Sequence, residues 1–442
     1  MEAVNPTAKK SEWSVIFAGD WAPSADHVTI IEQNPESVYG NLLPILRDAD
    51  ISVVNLECVL GTGNERIVKD GPHLSAPAHM VKALEAVPFD VMCLANNHTM
   101  DYGKSGLEST MAALAHNNLN FIGAGLTWDD ACKPYITRIG DVRIAVVNVA
   151  EGEEGKAAHN TAGVAPFDLS TVEQRITNLK RENDLVFVVA HAGRECIPFP
   201  PPYVQTVYRR YVEVGADAVI GHHPHVTQGV EIYQGKPIAY SLGNFLFPIE
   251  EGELFWCSIG CLVSLHFSGT QFLEYRVNPY EITPHGLCLL DDEQRASHLK
   301  HLQQFSAFLS SENESKALWQ AFANSWVERD FSDEMITISS QMLSISTLIR
   351  GLQFKLAANP TLANRIVRRL LGLVGRWIDT NPPEPNLATQ RHGAAILRNR
   401  FDTAAHRELY LTALEQMMSG KPGDTPQAAA NTLRSWKETR SL

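Results

Sequence analysis

The sequence predicts an α/β fold followed by an all-α region. Through about residue 283, short apolar and β-branched runs alternate with helical patterns, as in domains whose parallel strands are covered by helices. Beyond residue 284, apolar residues recur only at helical spacing. We therefore divide the chain into an α/β domain, residues 1–283, and a helical C-terminal region, residues 284–442.

Composition and charge narrow the class of protein. Of the 442 residues, 44% are hydrophobic and 20% are charged, as in globular proteins. The net charge of -13 argues against a nucleic-acid partner, because binding to phosphate backbones requires basic surface. No apolar run reaches the roughly 20 residues of a membrane helix, and no signal-peptide pattern precedes the first strand. Seven cysteines without CxxC spacing indicate reduced thiols, so we expect a cytoplasmic protein with no transmembrane segment.

The elements of the first domain follow from its apolar runs and the glycines and prolines that interrupt them. Strands are short β-branched runs, and helices are the longer mixed segments between them. The predicted strands are 13–18, 51–54, 90–94, 121–122, 143–149, 184–190 and 217–220. The predicted helices are 40–47, 78–86, 105–116, 171–183 and one that ends at residue 214.

Polar residues follow the carboxyl ends of five of these strands. Ligands of open α/β sheets bind at that end, so we expect these side chains to share one site. They are Asp20, Glu57, Asn97, His98, His191, His223 and His225.

Three histidines lie within four positions after the strand at 217–220: His222, His223 and His225. A single loop histidine is usually a solvated polar residue. Three at this spacing, at a strand end, favour metal binding or proton transfer instead. Carboxylate and amide oxygens suit Mn or Mg, and imidazoles extend the choice to Zn and Fe. The set therefore matches the needs of a two-metal hydrolytic site.

The C-terminal region shows six helical patterns. Asn359 before Pro360 and Thr425 before Pro426 are helix-start signals. The fourth predicted helix, 360–377, has apolar residues along one face and arginines on the opposite face. Such a helix packs on its own domain more often than it binds a membrane or a protein partner. The predicted helices are 293–309, 316–328, 334–356, 360–377, 388–418 and 426–437.

Six motifs in order resemble the CapA (poly-γ-glutamate capsule synthesis) family, a branch of the calcineurin-like metallophosphoesterases. They are GD at 19–20, NLE at 55–57, ANNHxxDYG at 95–103, HxGxE at 191–195, GHHPHVxQGVE at 221–231 and YSLGNFLF at 240–247. The resemblance spans about residues 14–267. It implies a four-layer αββα metallophosphatase-like sandwich and a peptide or glutamyl substrate.

The resemblance also implies roles for the site residues. Asp20 and His225 would face one metal position, and Asn97, His191 and His223 the other. Glu57 would be the bridging carboxylate. His98 would be the general acid, oriented by Asp101, and Glu195 would hold His191. Metallophosphoesterases usually begin with DxH, but Trp21 and Ala22 follow Asp20, so the first position lacks one ligand and a site without metal stays open.

Three functions fit these observations. The first is a metal-dependent hydrolase acting on a glutamyl polymer, peptide or phosphoester. The second is a metal-independent peptide epimerase in which Asp20 and His225 act as opposed acid/base groups on one carbon. The third is a non-enzymatic scaffold that binds a protein partner through the helical C-terminal region.

Overall fold

The computed structural model describes residues 12–61, 66–69, 71–151, 155–157, 160–249, 255–329, 408–409, 412 and 427–438. These residues belong to two compact units. The first contains the described chain up to Ser311 apart from the segment 68–72, and the second contains that segment and the described residues from Glu312 onward. The domain boundary at residue 283 stays a prediction.

Eighteen strands lie among the described residues of the first unit. In chain order they are β1 Glu12–Trp21, β2 Ile51–Leu56, β3 Val59–Leu60, β4 Ser75–Ala76, β5 Val91–Cys93, β6 Asn120–Ile122, β7 Ala124–Gly125, β8 Tyr135–Ile139, β9 Val142–Ala150, β10 Gly163–Val164, β11 Leu185–His191, β12 Ala218–His222, β13 Val230–Tyr233, β14 Lys236–Ala239, β15 Asn244–Leu246, β16 Ile259–Ser268, β17 Gln271–Thr283 and β18 Gly286–Leu289.

The first seven helices of the first unit lie between these strands in the chain, and the eighth follows β18. They are α1 Ala25–Gln33, α2 Leu43–Asp48, α3 Val81–Ala86, α4 Gly103–His116, α5 Trp128–Ala131, α6 Leu169–Lys180, α7 Pro202–Glu213 and α8 Asp292–Leu309. Single 3₁₀ segments occupy Pro35–Leu42, Ala78–Met80 and Phe255–Ser258. In the second unit, α9 Glu312–Arg329 and α10 Gln427–Glu438 contact each other.

Two large sheets carry the fold. The eight-stranded sheet has the order β18-β17-β16-β1-β2-β5-β6, with β15 pairing in parallel beside the end of β1. The six-stranded sheet has the order β13-β14-β12-β11-β9-β8. The strands β1, β2, β5 and β6 run parallel, as do β9, β11, β12 and β14. Their carboxyl ends can therefore deliver side chains to one edge of each sheet.

The two sheets pack face to face between layers of helices. Alternate residues of a strand point to opposite faces, so Phe17 enters the layer between the sheets and meets Phe187, while Ile16 faces the helices. On the outer face of the six-stranded sheet, Val188 packs with Val172 of α6. The predicted four-layer αββα sandwich is confirmed.

Two predicted helices, 40–47 and 78–86, are divided in the structure into a 3₁₀ segment and an α-helix. The first 3₁₀ segment ends at Leu42, where α2 begins at Leu43, and the second ends at Met80, where α3 begins at Val81. Gly40 adopts φ 49°, and a Cβ there would lie 2.1 Å from the carbonyl oxygen of Leu287. The close approach of β18 therefore requires glycine in a left-handed conformation, which interrupts the helix.

The helical C-terminal region is described only in part. Helices α8, α9 and α10 match the predicted helices 293–309, 316–328 and 426–437 to within a few residues. The predicted helices 334–356 and 360–377, with the arginine stripe, and nearly all of 388–418 lie outside the described residues. Among the described residues, no helix combines the length and apolar character needed to span a bilayer.

Helix α8 is anchored to the rest of the first unit by a buried histidine. The Nε2 atom of His298 lies 3.1 Å from the hydroxyl of Thr227 and 3.6 Å from the Cys261 sulfur. Burial, with a smaller contribution from His301, lowers the pKa of His298 to about 4. The folded protein therefore keeps this imidazole neutral at pH values where an unfolded chain would protonate it.

We expect the pH dependence of stability to depend on His298. The pKa of His298 in the folded protein lies below its value in the unfolded chain. Protonation of the unfolded chain therefore lowers the free energy of unfolding as the pH falls from 6.5 toward 4, and this loss is absent above pH 6.5. Between pH 7.5 and 5 the wild-type protein should lose about 2 kcal/mol more than His298→Gln. Urea unfolding of both proteins at the two pH values measures this difference. Equal losses in the two proteins would contradict it.

Candidate functional site

The carboxyl ends of five strands bring polar side chains into one buried cluster. Asp20 comes from β1, Glu57 follows β2, and Asn97 and His98 follow β5. His191 ends β11, and His222 ends β12, with His223 and His225 just beyond. Most of these side chains are buried and His225 is 12% exposed. The structure therefore brings together all the strand-end residues that the sequence singled out.

Asp20 is held by two neighbours that the sequence analysis did not assign. Its Oδ1 accepts a hydrogen bond of 2.8 Å from Asn55 Nδ2 and lies 2.8 Å from His222 Nδ1. Its Oδ2 lies 3.5 Å from His225 Nδ1. Burial alone would raise the pKa of Asp20, but the neighbouring His222, His225 and Asn55 lower it. The carboxylate is therefore kept ionised in a buried site.

Glu57 joins the two halves of the cluster. Its Oε1 lies 3.3 Å from His191 Nε2 and 3.8 Å from His225 Nε2, and the side chain is fully buried. One carboxylate oxygen thus faces imidazoles from two different strands. Its role as the bridging carboxylate stays a prediction.

His191 and His223 are neutral imidazoles. His191 Nε2 lies 2.9 Å from Asn97 Oδ1, and burial followed by the surrounding histidines holds the pKa of His191 well below 6.5. His223 has a left-handed backbone with φ 98°, and burial is the main cause that lowers the pKa of His223 to about 4. Among the described residues, His223 Nδ1 has no hydrogen-bond partner. Neutral imidazoles are the form that binds metal ions.

His225 differs from these two histidines. Burial alone would lower the pKa of His225, but the carboxylates of Asp20 and Glu195 and the hydrogen bond to Asn244 raise it. Its backbone also adopts a positive φ, 57°, after Pro224. The chain therefore places this ring by a tight loop conformation rather than by a strand.

His98 and Asp101 form a hydrogen-bonded dyad beside the cluster. His98 Nδ1 lies 2.7 Å from Asp101 Oδ2, and the same oxygen accepts a 2.7 Å hydrogen bond from the backbone N–H of Leu74. Both side chains are buried. With Nδ1 held by a carboxylate, Nε2 is the nitrogen of His98 that faces other partners.

The donor set fits a divalent cation. In the part of the chain that the structure describes, three groups have ligand atoms within 4.8 Å of one another: Glu57 with His191 and His223, Asp20 with Glu57 and His225, and Glu195 with His223 and His225. Two donors about 2.0–2.2 Å from one ion lie roughly 3 Å apart, close to the contacts of Glu57 and Asp20. Mixed oxygen and imidazole donors suit Mn, Fe or Zn better than Mg.

One expectation for the site differs from the observed geometry. The hydrogen-bonding neighbours of His191 are Asn55 and Asn97, and Glu195 lies beside His223 and His225 instead. Asp20 Oδ2 lies 3.5 Å from His225 Nδ1, and the epimerase alternative stays a prediction.

The fold and the cluster define a class of protein: a metallophosphatase-like αββα sandwich with a candidate metal centre at the strand ends. Comparison with known proteins narrows the class, because residues 14–249 match the family described as bacterial capsule synthesis protein PGA_cap. The chain belongs to this CapA family.

Two relatives and one solved structure resemble this chain to different extents. The PGA biosynthesis protein CapA of Bacillus subtilis is 33% identical over 276 residues, 61% of this chain and 71% of the relative. The capsule biosynthesis protein CapA of Bacillus anthracis is 32% identical over 219 residues, 48% of this chain and about half, 53%, of the relative. A 5'-nucleotidase precursor from Thermus thermophilus has a TM-score of 0.39 at 13% identity, covering 67% of this chain and 60% of that one.

Proposed function

We propose that this protein is a cation-dependent hydrolase that acts in the metabolism of a glutamyl polymer. The observation that carries the proposal is the position of Glu57, whose carboxylate belongs to two of the three donor groups. A carboxylate shared by neighbouring groups is the arrangement of two-cation hydrolytic sites. The names of the Bacillus relatives, which refer to PGA and capsule biosynthesis, support a glutamyl polymer as the substrate.

Seven side chains would hold the cations. Glu57, His191, His223 and Asn97 would form one position, and Asp20, Glu57 and His225 the other, with Glu195 at the exposed side of His223 and His225. A divalent cation held there supplies Lewis-acid polarisation of the scissile group. Its charge also offsets that of the carboxylates of an acidic substrate, which matters for a chain whose own net charge is -13.

His98 is placed to move a proton. Burial is the main cause that lowers the pKa of His191 and His223, and a smaller electrostatic contribution from His98 shows that its ring lies near the donor groups. Asp101 fixes Nδ1, so Nε2 can give a proton to the leaving group as the scissile bond breaks. Before that step Asp101 stabilises the charged ring through their 2.7 Å contact, and the ring is neutral once Nε2 has given up its proton.

Removal of cations tests this function. We expect purified protein to contain Zn, Mn or Fe by elemental analysis and to hydrolyse poly-γ-glutamate or bis(p-nitrophenyl) phosphate. A chelator should abolish the reaction, and added Mn²⁺ or Zn²⁺ should restore it, because the donors suit those ions. Full activity in protein shown to contain no metal would contradict the proposal, as would no activity on either substrate with the cations bound.

A further inference from the structure

Asn244 links three backbones beside the candidate metal centre. It begins β15 and pairs with Asp20 of β1. Its carbonyl oxygen accepts a 2.8 Å hydrogen bond from the Tyr280 hydroxyl. A Cβ at Gly260 would lie 2.0 Å from that same oxygen, so the neighbouring strand approaches closely only because residue 260 is glycine. The backbone position of Asn244 is therefore fixed.

The Asn244 side chain has one allowed orientation. Its amide contacts the backbone carbonyl of Cys257 at 2.9 Å on one side and His225 Nδ1 at 2.8 Å on the other. A carbonyl can only accept, so the Asn244 NH₂ group must face Cys257 and Asn244 Oδ1 must face His225. Because an amide oxygen can only accept as well, His225 Nδ1 must carry a hydrogen.

We propose that Asn244 is a positioning residue that sets the tautomer of His225. With its hydrogen on Nδ1, a neutral His225 has its lone pair on Nε2, the atom 3.8 Å from Glu57 Oε1. Asn244 thereby leaves the only lone pair of the ring on the nitrogen that faces Glu57, while the Nδ1 hydrogen lies on the side of Asn244 and Asp20. The metal-binding part of this inference rests on the proposed function, but the tautomer does not.

Cation binding by the group of Asp20, Glu57 and His225 should depend strongly on Asn244. No histidine follows Asp20 at the second position of the first motif, where Trp21 and Ala22 stand. His225 is the imidazole in the group that contains Asp20 and Glu57. A wrong tautomer would therefore remove the nitrogen donor of that group.

Nitrogen-15 NMR of the histidine rings tests the inference, with His225 assigned through His225→Gln. At pH 8.5 in zinc-free protein we expect wild type to carry hydrogen on Nδ1. Asn244→Leu, similar in size but without an acceptor, should show a mixed tautomer and bind zinc 10–100-fold more weakly by titration calorimetry. Asn244→Asp keeps an acceptor toward His225 and should retain the tautomer, although it loses the NH₂ group that donates to Cys257.

Tyr280→Phe is the matched control, because it removes a contact to the Asn244 backbone and leaves the side-chain amide in place. It should change neither tautomer nor zinc affinity. Hydrogen on Nε2 in zinc-free wild type would overturn the inference, whether or not Asn244→Leu folds. A wild-type protein that binds no zinc, but shows the expected tautomer and its loss in Asn244→Leu, would overturn the proposed function and leave this inference standing.

Discussion

Glu57→Gln is expected to remove bound cation and to reduce hydrolysis by about 10³-fold or more, equivalent to about 4 kcal/mol of transition-state stabilisation. Glutamine has nearly the same shape as glutamate but no charge. Because Glu57 belongs to two donor groups, its neutralisation weakens both cation positions at once. Substitution of a residue in only one group should cost less.

The stability of the cation-free variant should change in the opposite direction. Glu57 is a fully buried carboxylate, and burying a charge carries a desolvation penalty. We therefore expect the free energy of unfolding of cation-free Glu57→Gln to equal or exceed that of cation-free wild type. Loss of activity without loss of stability would separate a role in cation binding from a role in folding.

Elemental analysis, hydrolysis rates and urea unfolding measure the three quantities. Glu36→Gln provides the control, since Glu36 is a half-exposed glutamate paired with Arg47 at 2.6 Å in the 3₁₀ segment Pro35–Leu42. That variant should match wild type in cation content and rate. Glu57→Gln with wild-type cation content and activity would refute the assignment of Glu57 as the shared carboxylate.

The strand ends were predictable because the side-chain chemistry changes abruptly there, from apolar to polar, although the polar residues are buried as well. The runs before Asp20, His191 and His222 are almost wholly buried, and the polar residue comes where each run stops. An apolar run closed by a carboxylate or an imidazole is visible in sequence without knowledge of the fold. Parallel pairing then brings the ends together.

The partners that orient these residues were not predictable in the same way. Asn55 was visible beside Glu57, and His222 beside His223, but nothing local shows that both contact Asp20. Asn244 holds His225 from the first residue of β15, and that strand's pairing with β1 depends on sheet topology. Residue type indicates which groups can bind a metal, whereas orientation depends on contacts between residues far apart in sequence.

His98→Gln is the second variant expected to have a large effect, a loss of about 10²- to 10⁴-fold in kcat when the leaving group is poor. Glutamine can still donate a hydrogen bond to Asp101 but has no proton to transfer at neutral pH. The cation donors Glu57, His191 and His223 are unchanged, so cation content should equal that of wild type. KM should change little, because the proton is transferred only in the transition state.

The leaving group distinguishes a proton donor from a structural residue. When a phosphoester of p-nitrophenol is hydrolysed, the p-nitrophenolate group leaves without protonation. His98→Gln should therefore hydrolyse this ester at a rate within about tenfold of wild type. A phosphoester of an aliphatic alcohol needs a proton on its leaving group, so its hydrolysis should show the full loss. Asp101→Asn should give a smaller loss with the same selectivity, since asparagine can keep an oxygen toward His98 and Leu74 but removes the charge that stabilises a protonated ring. Equal losses on both substrates would indicate that the dyad maintains the structure of the site instead of transferring a proton.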